Sequence, residues 1–273
     1  MTQYTEGNPL LQLEGVGVSY GTKKIIENIS FTIVDTKREG VNQGQTVAIV
    51  GRSGRGKSTL FKAMTGLISL TSGNIKIYTG KEVLTTLQEG EVGFVQQKYP
   101  LSRNQSVNSM LVQAAKQGGV PAKNIQSLVN QKLEEWNLVN QKSLCAKQLS
   151  GGQQQRVAIL EQMLCSKHFI VLDEPFSGLD VKNKLDVKSA FQKISDCDDL
   201  NTIIFSTHEI ELAVELADYI IVMGYQREAN NSLIEIASVL QTFDMKALGL
   251  AWQPYSPAHA NIQQQIESIM VQS

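Results

Sequence analysis

The residues best suited to chemistry are the eight from Gly51 to Ser58, which read Gly-Arg-Ser-Gly-Arg-Gly-Lys-Ser. They match the pattern G-x-x-x-x-G-K-[ST], whose glycines let backbone N–H groups curl around phosphate oxygens. In that pattern Lys57 neutralises charge on the β- and γ-phosphates, and the Ser58 hydroxyl coordinates Mg²⁺. The motif follows the apolar run Val47–Val50 and precedes the helical-looking Thr59–Gly66. The sequence therefore predicts a nucleotide-phosphate site at the N-terminus of a helix.

Two adjacent acids end a second apolar run. Ile170-Val171-Leu172 is followed directly by Asp173 and Glu174. At the end of a strand, Asp173 can hold the Mg²⁺ shell, and Glu174 is placed to polarise an attacking water as a general base. An acidic pair after a strand is by itself a common start of a loop. Beside a phosphate loop, it becomes the expected catalytic partner.

A third motif, LSGGQ, spans Leu149 to Gln153 and opens the helical stripe Val157, Leu160 and Leu164. Ser150 can cap that helix, and the paired glycines expose N–H groups at its positive end, which makes a second anion site. One nucleotide has only one γ-phosphate, so two such sites in one chain need an explanation. A head-to-tail dimer provides it, with the LSGGQ of each subunit closing over the nucleotide held by the other subunit.

The elements that must position these motifs follow from hydrophobic patterning. The continuously apolar runs are typical of parallel strands buried on both faces, and ligands bind beyond the carboxyl ends of such strands. They are Val47–Val50, Phe169–Leu172 and Thr202–Phe205. Shorter β-rich runs predict an antiparallel layer near the N-terminus. They are Leu11–Val18, Ile25–Val34 and Ile75–Tyr78.

Between about Leu101 and Lys167 the apolar residues recur at helical spacing, which predicts a helical insertion. One stripe after Pro121 comprises Ile125, Leu128, Val129, Leu133 and Trp136. A last helix is predicted after Ser256-Pro257, with its apolar stripe packed on its own domain in preference to a partner. The fold class is therefore α/β: a parallel-sheet core with the phosphate loop, an N-terminal antiparallel β-subdomain and a helical insertion subdomain.

Charge and composition exclude several classes of protein. The 273 residues carry 25 Lys and Arg against 26 Asp and Glu, so no global attraction to nucleic acid or anionic lipid is expected. Cys145, Cys165 and Cys197 fit neither a disulfide framework nor a zinc site, which favours reduced thiols in the cytosol. The first residues do not form a signal peptide. No apolar run approaches the ~20 residues of a membrane-spanning helix, so any membrane part belongs to another chain.

The order of the motifs resembles the nucleotide-binding subunit of an ATP-binding cassette (ABC) transporter. After the phosphate loop, LSGGQ and Asp173-Glu174 come Ser177-Gly178-Leu179-Asp180 and Ser206-Thr207-His208. The similarity runs from about Leu11 to Met223, and LSGGQ just upstream of the Asp-Glu strand is highly specific to this family. It implies a P-loop NTPase fold and Mg²⁺-dependent hydrolysis of ATP to ADP and phosphate at two composite sites of a dimer.

The resemblance also implies individual roles. Tyr20 aligns with the aromatic residue that stacks on adenine, and Gln97 with the glutamine that touches Mg²⁺ and the attacking water and senses the membrane partner. Asp180 aligns with an aspartate at the dimer interface, and His208 with the histidine that contacts the γ-phosphate.

These expectations define three sets of residues. The catalytic set is Lys57, Gln97, Glu174 and His208. The nucleotide-binding set is Tyr20, Gly51, Ser53, Gly54, Gly56, Lys57, Ser58, Thr59, Ser150, Gly151, Gly152, Gln153 and Asp180. The metal-binding set is Ser58, Gln97 and Asp173.

One ATPase domain is expected over 1–273, with the β-subdomain and ATP-binding core in 1–100 and 167–225. Its helical subdomain is expected in 101–166, and a C-terminal extension in 226–273. The implied partners are a second ATP-binding subunit, in a homodimer or pseudo-dimer, transmembrane permease subunits that dock near Gln97 to Met110, and a solute-binding protein. The implied location is cytoplasmic, on the inner face of the cell membrane through the permease. No nucleic-acid partner is expected.

Two alternatives remain open, one for the transport direction and one for the functional class of the protein. Residues 57–97, 173–176 and 208–213 resemble bacterial importers of the nitrate, sulfonate and phosphate groups, while an exporter or lipid-trafficking system is the alternative direction. A soluble ABC ATPase of DNA repair, chromosome organisation or translation is the alternative function. Such proteins usually have two cassettes, long coiled-coil inserts or zinc modules, and this sequence has one cassette and none of these.

Three departures from the family pattern leave the catalytic set intact. The segment Asp35–Asn42 lengthens a connection that is usually a tight turn, and a solvated hairpin is expected there. Ala146 stands where many import-type subunits have proline. Glu228–Ser232 replaces the usual Pro-Gly turn.

Overall fold

The computed structural model of the chain describes residues 4–38, 44–78, 84–88, 90–98, 100–166, 168–179, 181–195, 201–227 and 232–273. The strands in this part of the chain are β1 Tyr4–Tyr20, β2 Lys23–Arg38, β3 Gln45–Val50, β4 Ser72–Ile77, β5 Thr85–Thr86, β6 Val92–Val95, β7 Phe169–Leu172, β8 Thr202–Thr207, β9 Tyr219–Arg227 and β10 Leu233–Asp244. The helices are α1 Lys57–Met64, α2 Val107–Gln117, α3 Ala122–Glu135, α4 Gly151–Cys165, α5 Val181–Ser195, α6 Ile210–Leu216 and α7 Pro257–Gln272.

These strands form one curled sheet in the order β5-β4-β1-β2-β10-β9-β3-β8-β7-β6. The half from β9 to β6 is parallel, and the half from β5 to β2 is antiparallel. β10 joins the halves, because it pairs antiparallel with β9 and makes a parallel bridge from Ala237 to Ile26 of β2. The predicted α/β class is confirmed, with its parallel core, N-terminal antiparallel layer and helices inserted between β6 and β7.

The two faces of the sheet support separate hydrophobic cores. Successive side chains of a strand point to opposite faces, so Val47 and Ile49 of β3 enter one core and Ala48 and Val50 enter the other. Of the helices, α1 packs in the first core, and the remaining described helices pack in the second. The loop between β3 and α1 therefore starts and ends in fully buried structure, which fixes it at the carboxyl end of β3.

The predicted helical stripes are largely buried. Ile125, Val129, Leu133 and Trp136 lie in the second core, and Leu128 packs against it. In α7 the stripe of Ile262, Ile266 and Met270 also lies in that core. Its packing on its own domain, predicted from the sequence, is confirmed.

The solvated hairpin expected at Asp35–Asn42 is wrong over its first half. β2 continues to Arg38, where it pairs with the start of β1, and the Asp35 and Thr36 side chains are buried. The added residues up to Arg38 therefore lengthen the antiparallel pair of β1 and β2 rather than a loop. Residues 39–42 of this segment lie outside the described residues, as do 228–231 of the turn after β9.

The cysteines described by the structure, Cys145 and Cys165, are free thiols. Burial, together with the nearby Glu161 carboxylate, raises the pKa of the Cys165 thiol. A raised pKa lowers the thiolate fraction, which makes this thiol a poor nucleophile. Cys197 lies outside the described residues. No described helix is long and apolar enough to cross a bilayer.

A cluster of three aromatic rings ties α5 to the parallel sheet. The Phe191 ring centroid lies 5.5 Å from that of Phe176 and 5.3 Å from that of Phe205.

We expect Phe191→Ala to lower the free energy of unfolding by about 3–5 kcal/mol, because it opens a cavity in a packed core. Urea denaturation measures this loss. The matched control on the same helix is Leu185→Ala, whose side chain is exposed and whose effect should stay within about 0.5 kcal/mol. Equal losses in the two variants would contradict the packing described.

Candidate active site

A cavity of about 620 Å³ lies at the carboxyl ends of β3, β7 and β8. It gathers most of the residues that the sequence predicts for the phosphate, metal and catalytic roles. These are Ser53, Gly54, Gly56, Lys57, Ser58, Thr59, Gln97, Asp173, Glu174 and His208. Because β3, β7 and β8 run parallel, their carboxyl ends meet at one edge of the sheet, and the motifs that follow them meet there too.

The phosphate loop needs glycine at two close approaches. A side chain on Gly51 would place its Cβ 2.5 Å from the carbonyl oxygen of Met223 in β9. Gly56 has a φ of +74°, and its Cβ would lie 2.5 Å from a methyl carbon of Ile26. The loop is therefore pressed onto the sheet before α1 begins at Lys57. The unpaired N–H groups of the first turn of α1 lie at the cavity, where they favour an anion.

Lys57 is a buried cation at the base of the cavity. Its Nζ donates to the Gly51 carbonyl oxygen at 2.6 Å and lies 3.3 Å from that of Arg52. The same nitrogen lies 3.4 Å from Oε1 of Glu174, and the Lys57 side chain is only 6% exposed. A buried ammonium requires compensating acceptors, and here it has two carbonyls and one carboxylate.

Glu174 bridges two of the predicted catalytic residues. One carboxylate oxygen faces Lys57, and the other, Oε2, lies 2.8 Å from Nδ1 of His208. The backbone of Glu174 has a φ of +51°, in the left-handed region that non-glycine residues seldom adopt. The Glu174 carboxylate therefore lies between the two groups predicted to contact a γ-phosphate. A phosphate bound to Lys57 and His208 would compete with it for both contacts.

Ser206 fixes the orientation of the two acids. Its Oγ donates to Oδ1 of Asp173 at 2.7 Å and accepts from the backbone N–H of Glu174 at 2.9 Å. Sequence reasoning assigned no role to this serine. The parallel register of β7 and β8 pairs Leu172 with Phe205, so Ser206, the next residue of β8, had to lie beside the two acids that follow β7. That pairing was the signal from which Ser206 could have been found.

The oxygen donors at the cavity suit Mg²⁺. The exposed Ser58 at the start of α1 and the carboxylate of Asp173 supply hydroxyl and carboxylate oxygen, which Mg²⁺ prefers. Among the described residues no group of three or more His, Cys, Asp and Glu side chains could hold a metal by itself. The donor set therefore fits an ion bound by few protein ligands together with phosphate oxygens and water. Gln97 also lines the cavity, and its Nε2 lies 3.4 Å from the Ser177 hydroxyl.

Several predicted site residues are not part of the cavity lining. Tyr20 ends β1 and is 52% exposed. Ser150 caps α4 as predicted: its Oγ accepts from the Gln153 N–H at 3.4 Å, and Gln153 Oε1 accepts from the Ser150 N–H at 2.9 Å. A Cβ at Gly151 would meet open space, so this helix end is uncovered among the described residues. Asp180 lies outside the described residues.

The cavity also contains residues from parts of the chain that sequence reasoning did not connect with it. Ile25 of β2 and Met270 of α7 both line it. Met270 was predicted only as part of an apolar helical stripe. Its placement depends on how α7 packs across β9 and α6, and no local pattern reports such long-range packing.

Comparison with known sequences identifies relatives. The sequence model of a family described as ABC transporter matches residues 35–177. The phosphonates import ATP-binding protein PhnC of Fusobacterium nucleatum is 32% identical over 256 residues, covering 85% of this chain and 98% of that protein. The sulfate/thiosulfate import ATP-binding protein CysA of Thermosynechococcus vestitus is 33% identical over 215 residues, covering 78% of this chain and 61% of that protein. The chain thus spans about three fifths of the length of the CysA relatives it matches.

Solved structures share the fold. The cbiO1 protein of Clostridium perfringens, described as part of the ABC transporter complex cbiONQ, superposes with a TM-score of 0.69 and 23% sequence identity. The match covers 89% of this chain and 91% of that one. This likeness supports the P-loop NTPase fold that the family resemblance implies.

The Ser206 bonds give a testable consequence for stability. We expect Ser206→Ala to lower the free energy of unfolding by about 1–3 kcal/mol, because it leaves the buried Asp173 oxygen and the Glu174 N–H without their partner. Chemical denaturation measures the loss. Ser177→Ala is the matched control, since it removes only a 3.4 Å contact with an exposed glutamine, and it should change stability by no more than about 0.5 kcal/mol. A neutral Ser206→Ala variant would refute the orienting role.

Proposed function

Because the chain belongs to the ABC transporter family, we propose that it hydrolyses ATP to ADP and phosphate and that this hydrolysis powers transport through a membrane partner. The observation that carries the proposal is the convergence of Lys57, Glu174 and His208 on one cavity beside the phosphate loop. These residues are contributed by three neighbouring parallel strand ends, and they supply a phosphate-binding cation, a base and a polar contact for the γ-phosphate.

The reaction assigns a distinct task to each of these groups. The backbone N–H groups of the phosphate loop and the Lys57 ammonium bind the β- and γ-phosphates in place of Glu174. The displaced Glu174 carboxylate then accepts a proton from the water that attacks the γ-phosphorus, while the bond to the ADP oxygen breaks. His208 holds the γ-phosphate, and Ser206 keeps Glu174 and Asp173 oriented. Mg²⁺ held by Ser58, Asp173 and Gln97 would offset phosphate charge when bound.

A second subunit completes the site in this proposal. The uncovered helix end at Ser150, Gly151 and Gly152 lies outside the cavity, although its N–H groups suit a phosphate. In a head-to-tail homodimer each such end faces the nucleotide on the partner's Lys57. Tyr20 then stacks on the adenine, and Asp180 lies at the dimer interface. Gln153 keeps its capping hydrogen bonds with Ser150. Contacts made only in the closed dimer shift the population toward it and couple ATP binding to motion.

An importer is the direction best supported. The relatives are named as import ATP-binding proteins, for sulfate/thiosulfate, phosphonates and spermidine/putrescine. We place the chain on the inner face of the cell membrane, bound to permease subunits through the surface near Gln97 to Met110, with a solute-binding protein supplying the cargo. The division into a core (1–100 and 167–225), a helical subdomain (101–166) and an extension (226–273) belongs to this proposal.

The Glu174→Gln variant tests the reaction. We expect it to hydrolyse ATP on the order of 100-fold more slowly or worse, because the amide keeps the shape of the side chain but accepts no proton. It should still bind ATP, since the loop and Lys57 remain. Phosphate release and equilibrium binding measure these two properties. Glu215→Gln removes a surface partner of Lys188 instead and should hydrolyse ATP like the wild type. Brisk turnover by Glu174→Gln would contradict the assignment of the base.

The same variant reports on the dimer. With ATP, Glu174→Gln should accumulate as a species of twice the monomer mass in size-exclusion chromatography with light scattering. Adding Ser150→Arg should keep it monomeric, because the larger side chain blocks the helix end that closes over the partner's nucleotide. A dimer that persists in the double variant would contradict the composite site.

Transport is tested by purifying the tagged chain from the membranes of its own cells. We expect it to co-purify with a multispanning membrane protein and to hydrolyse ATP faster in that complex than alone. As a control, DNA and RNA should not stimulate ATP hydrolysis, because the near-neutral net charge gives no general attraction for nucleic acid. Nucleic-acid stimulation without a membrane partner would favour the soluble ABC ATPase instead.

A further inference from the structure

The end of α7 lies against the phosphate loop. Met270, in the last turn, lines the same cavity as Lys57 and Ser58. Ser273, which follows the helix, is only 4% exposed. A C-terminal helix that belonged only to the outer face of the domain would not reach the nucleotide cavity.

The contact is made through Arg55 of the phosphate loop. Its guanidinium carbon lies 3.8 Å from the centroid of the Tyr225 ring, a cation–π distance. Its Nη2 donates to the carbonyl oxygen of Ser273 at 3.3 Å. Its Nε is buried and has no hydrogen-bond partner among the described residues. The Arg55 side chain is therefore partly buried and held between β9 and the end of α7.

The end of α7, which contacts Arg55, is tightly packed on β9. A Cβ on Gly224 of β9 would lie 2.6 Å from Cβ and Oγ of Ser273, so the segment after α7 rests directly on the strand. Arg227 donates from Nε to the Gln272 carbonyl oxygen at 2.6 Å. Ser273 Oγ donates to the Met270 carbonyl oxygen at 3.1 Å, which closes the end of the helix. These contacts give Arg55 a fixed acceptor.

Arg55 is flanked by two glycines, the residue type with the greatest backbone freedom. It lies between Gly54 and Gly56, whose φ values of +80° and +74° are conformations that glycine leaves easily. Of these three residues only Arg55 has a side chain able to anchor the turn. Its own N–H also closes the turn, with the Arg52 carbonyl oxygen at 3.3 Å. Fixing this side chain restrains the backbone N–H groups that must converge on the phosphates.

We propose that Arg55 is a positioning residue for the nucleotide phosphates, held in place by Tyr225 and the end of α7. It rests on the proposed function, because the ligand it serves is the diphosphate part of ATP or ADP. Arg55 acts through the loop and not on the reacting atoms. Without this anchor, the phosphate loop becomes ordered only when the nucleotide binds. The free-energy cost of that ordering weakens nucleotide binding and leaves the chemical step unchanged.

The test uses the full chain and ADP as the probe. Arg55→Met and Tyr225→Leu are each expected to raise the dissociation constant of ADP about tenfold, the scale of one cation–π contact or one hydrogen bond to a charged group. In steady-state assays the KM for ATP should rise by a similar factor, while kcat stays within about twofold. A merely structural defect would lower the active fraction and so reduce the apparent kcat instead.

Two control variants separate positioning from general damage. Tyr225→Phe keeps the aromatic face and should bind ADP as the wild type does. Tyr255→Leu makes the same change as Tyr225→Leu near the other end of α7, where the ring stacks on His259 at 5.5 Å, and should also leave ADP binding unchanged. Arg55→Met carries the test if Tyr225→Leu does not fold, because the partly buried Arg55 side chain lies outside both hydrophobic cores.

The outcomes distinguish this inference from the proposed function. A wild-type chain that binds neither ADP nor ATP refutes the nucleotide site itself. A wild type that binds ADP, with folded Arg55→Met and Tyr225→Leu variants binding it equally well or more tightly, refutes the positioning role alone. A selective loss of affinity in both variants, with Tyr225→Phe and Tyr255→Leu unaffected, establishes it.

Discussion

The ion pair between Lys57 and Glu174 is the contact around which the cavity is organised. A buried ammonium and a nearly buried carboxylate stabilise one another where neither would be tolerated alone. The same carboxylate also reaches His208, so one side chain contacts two groups that are predicted to bind phosphate. In the proposed reaction, a bound nucleotide exchanges this carboxylate for phosphate oxygens. We propose that this exchange releases Glu174 from its ion pair to act as the base, so that substrate binding activates the site.

The parallel sheet makes that contact possible. Lys57 follows β3, Glu174 follows β7 and His208 follows β8, and these strands are neighbours in register. Each strand is buried on both faces by two separate cores, so its end has little freedom to move. Ser206, at the end of β8, adds the local restraint on both acids. The geometry of the site is therefore a property of the sheet and not of the loops alone.

The last helix extends this organisation to the far end of the chain. β10 closes the sheet between its two halves, and α7 then returns across β9 to the phosphate loop. Arg55 is the residue at which this return meets the loop. Segments more than two hundred residues apart in sequence thereby share one structural unit, in which the end of α7 contacts the phosphate loop directly.

The sequence by itself determined the features that depend on contiguous residues. The phosphate loop, the acids after β7, the Ser150 cap and the stripe of α7 follow from spacing and periodicity, because their geometry is set within a few residues. Tertiary structure alone decided the bridge from Glu174 to Lys57 and His208, the bonds of Ser206, and the contact of Arg55 with α7. Those pairs are distant along the chain, and only the packing of the sheet brings them together. β10 escaped prediction for a related reason: most of its side chains are only partly buried or exposed, so its hydrophobic pattern is weak although its backbone joins both halves of the fold.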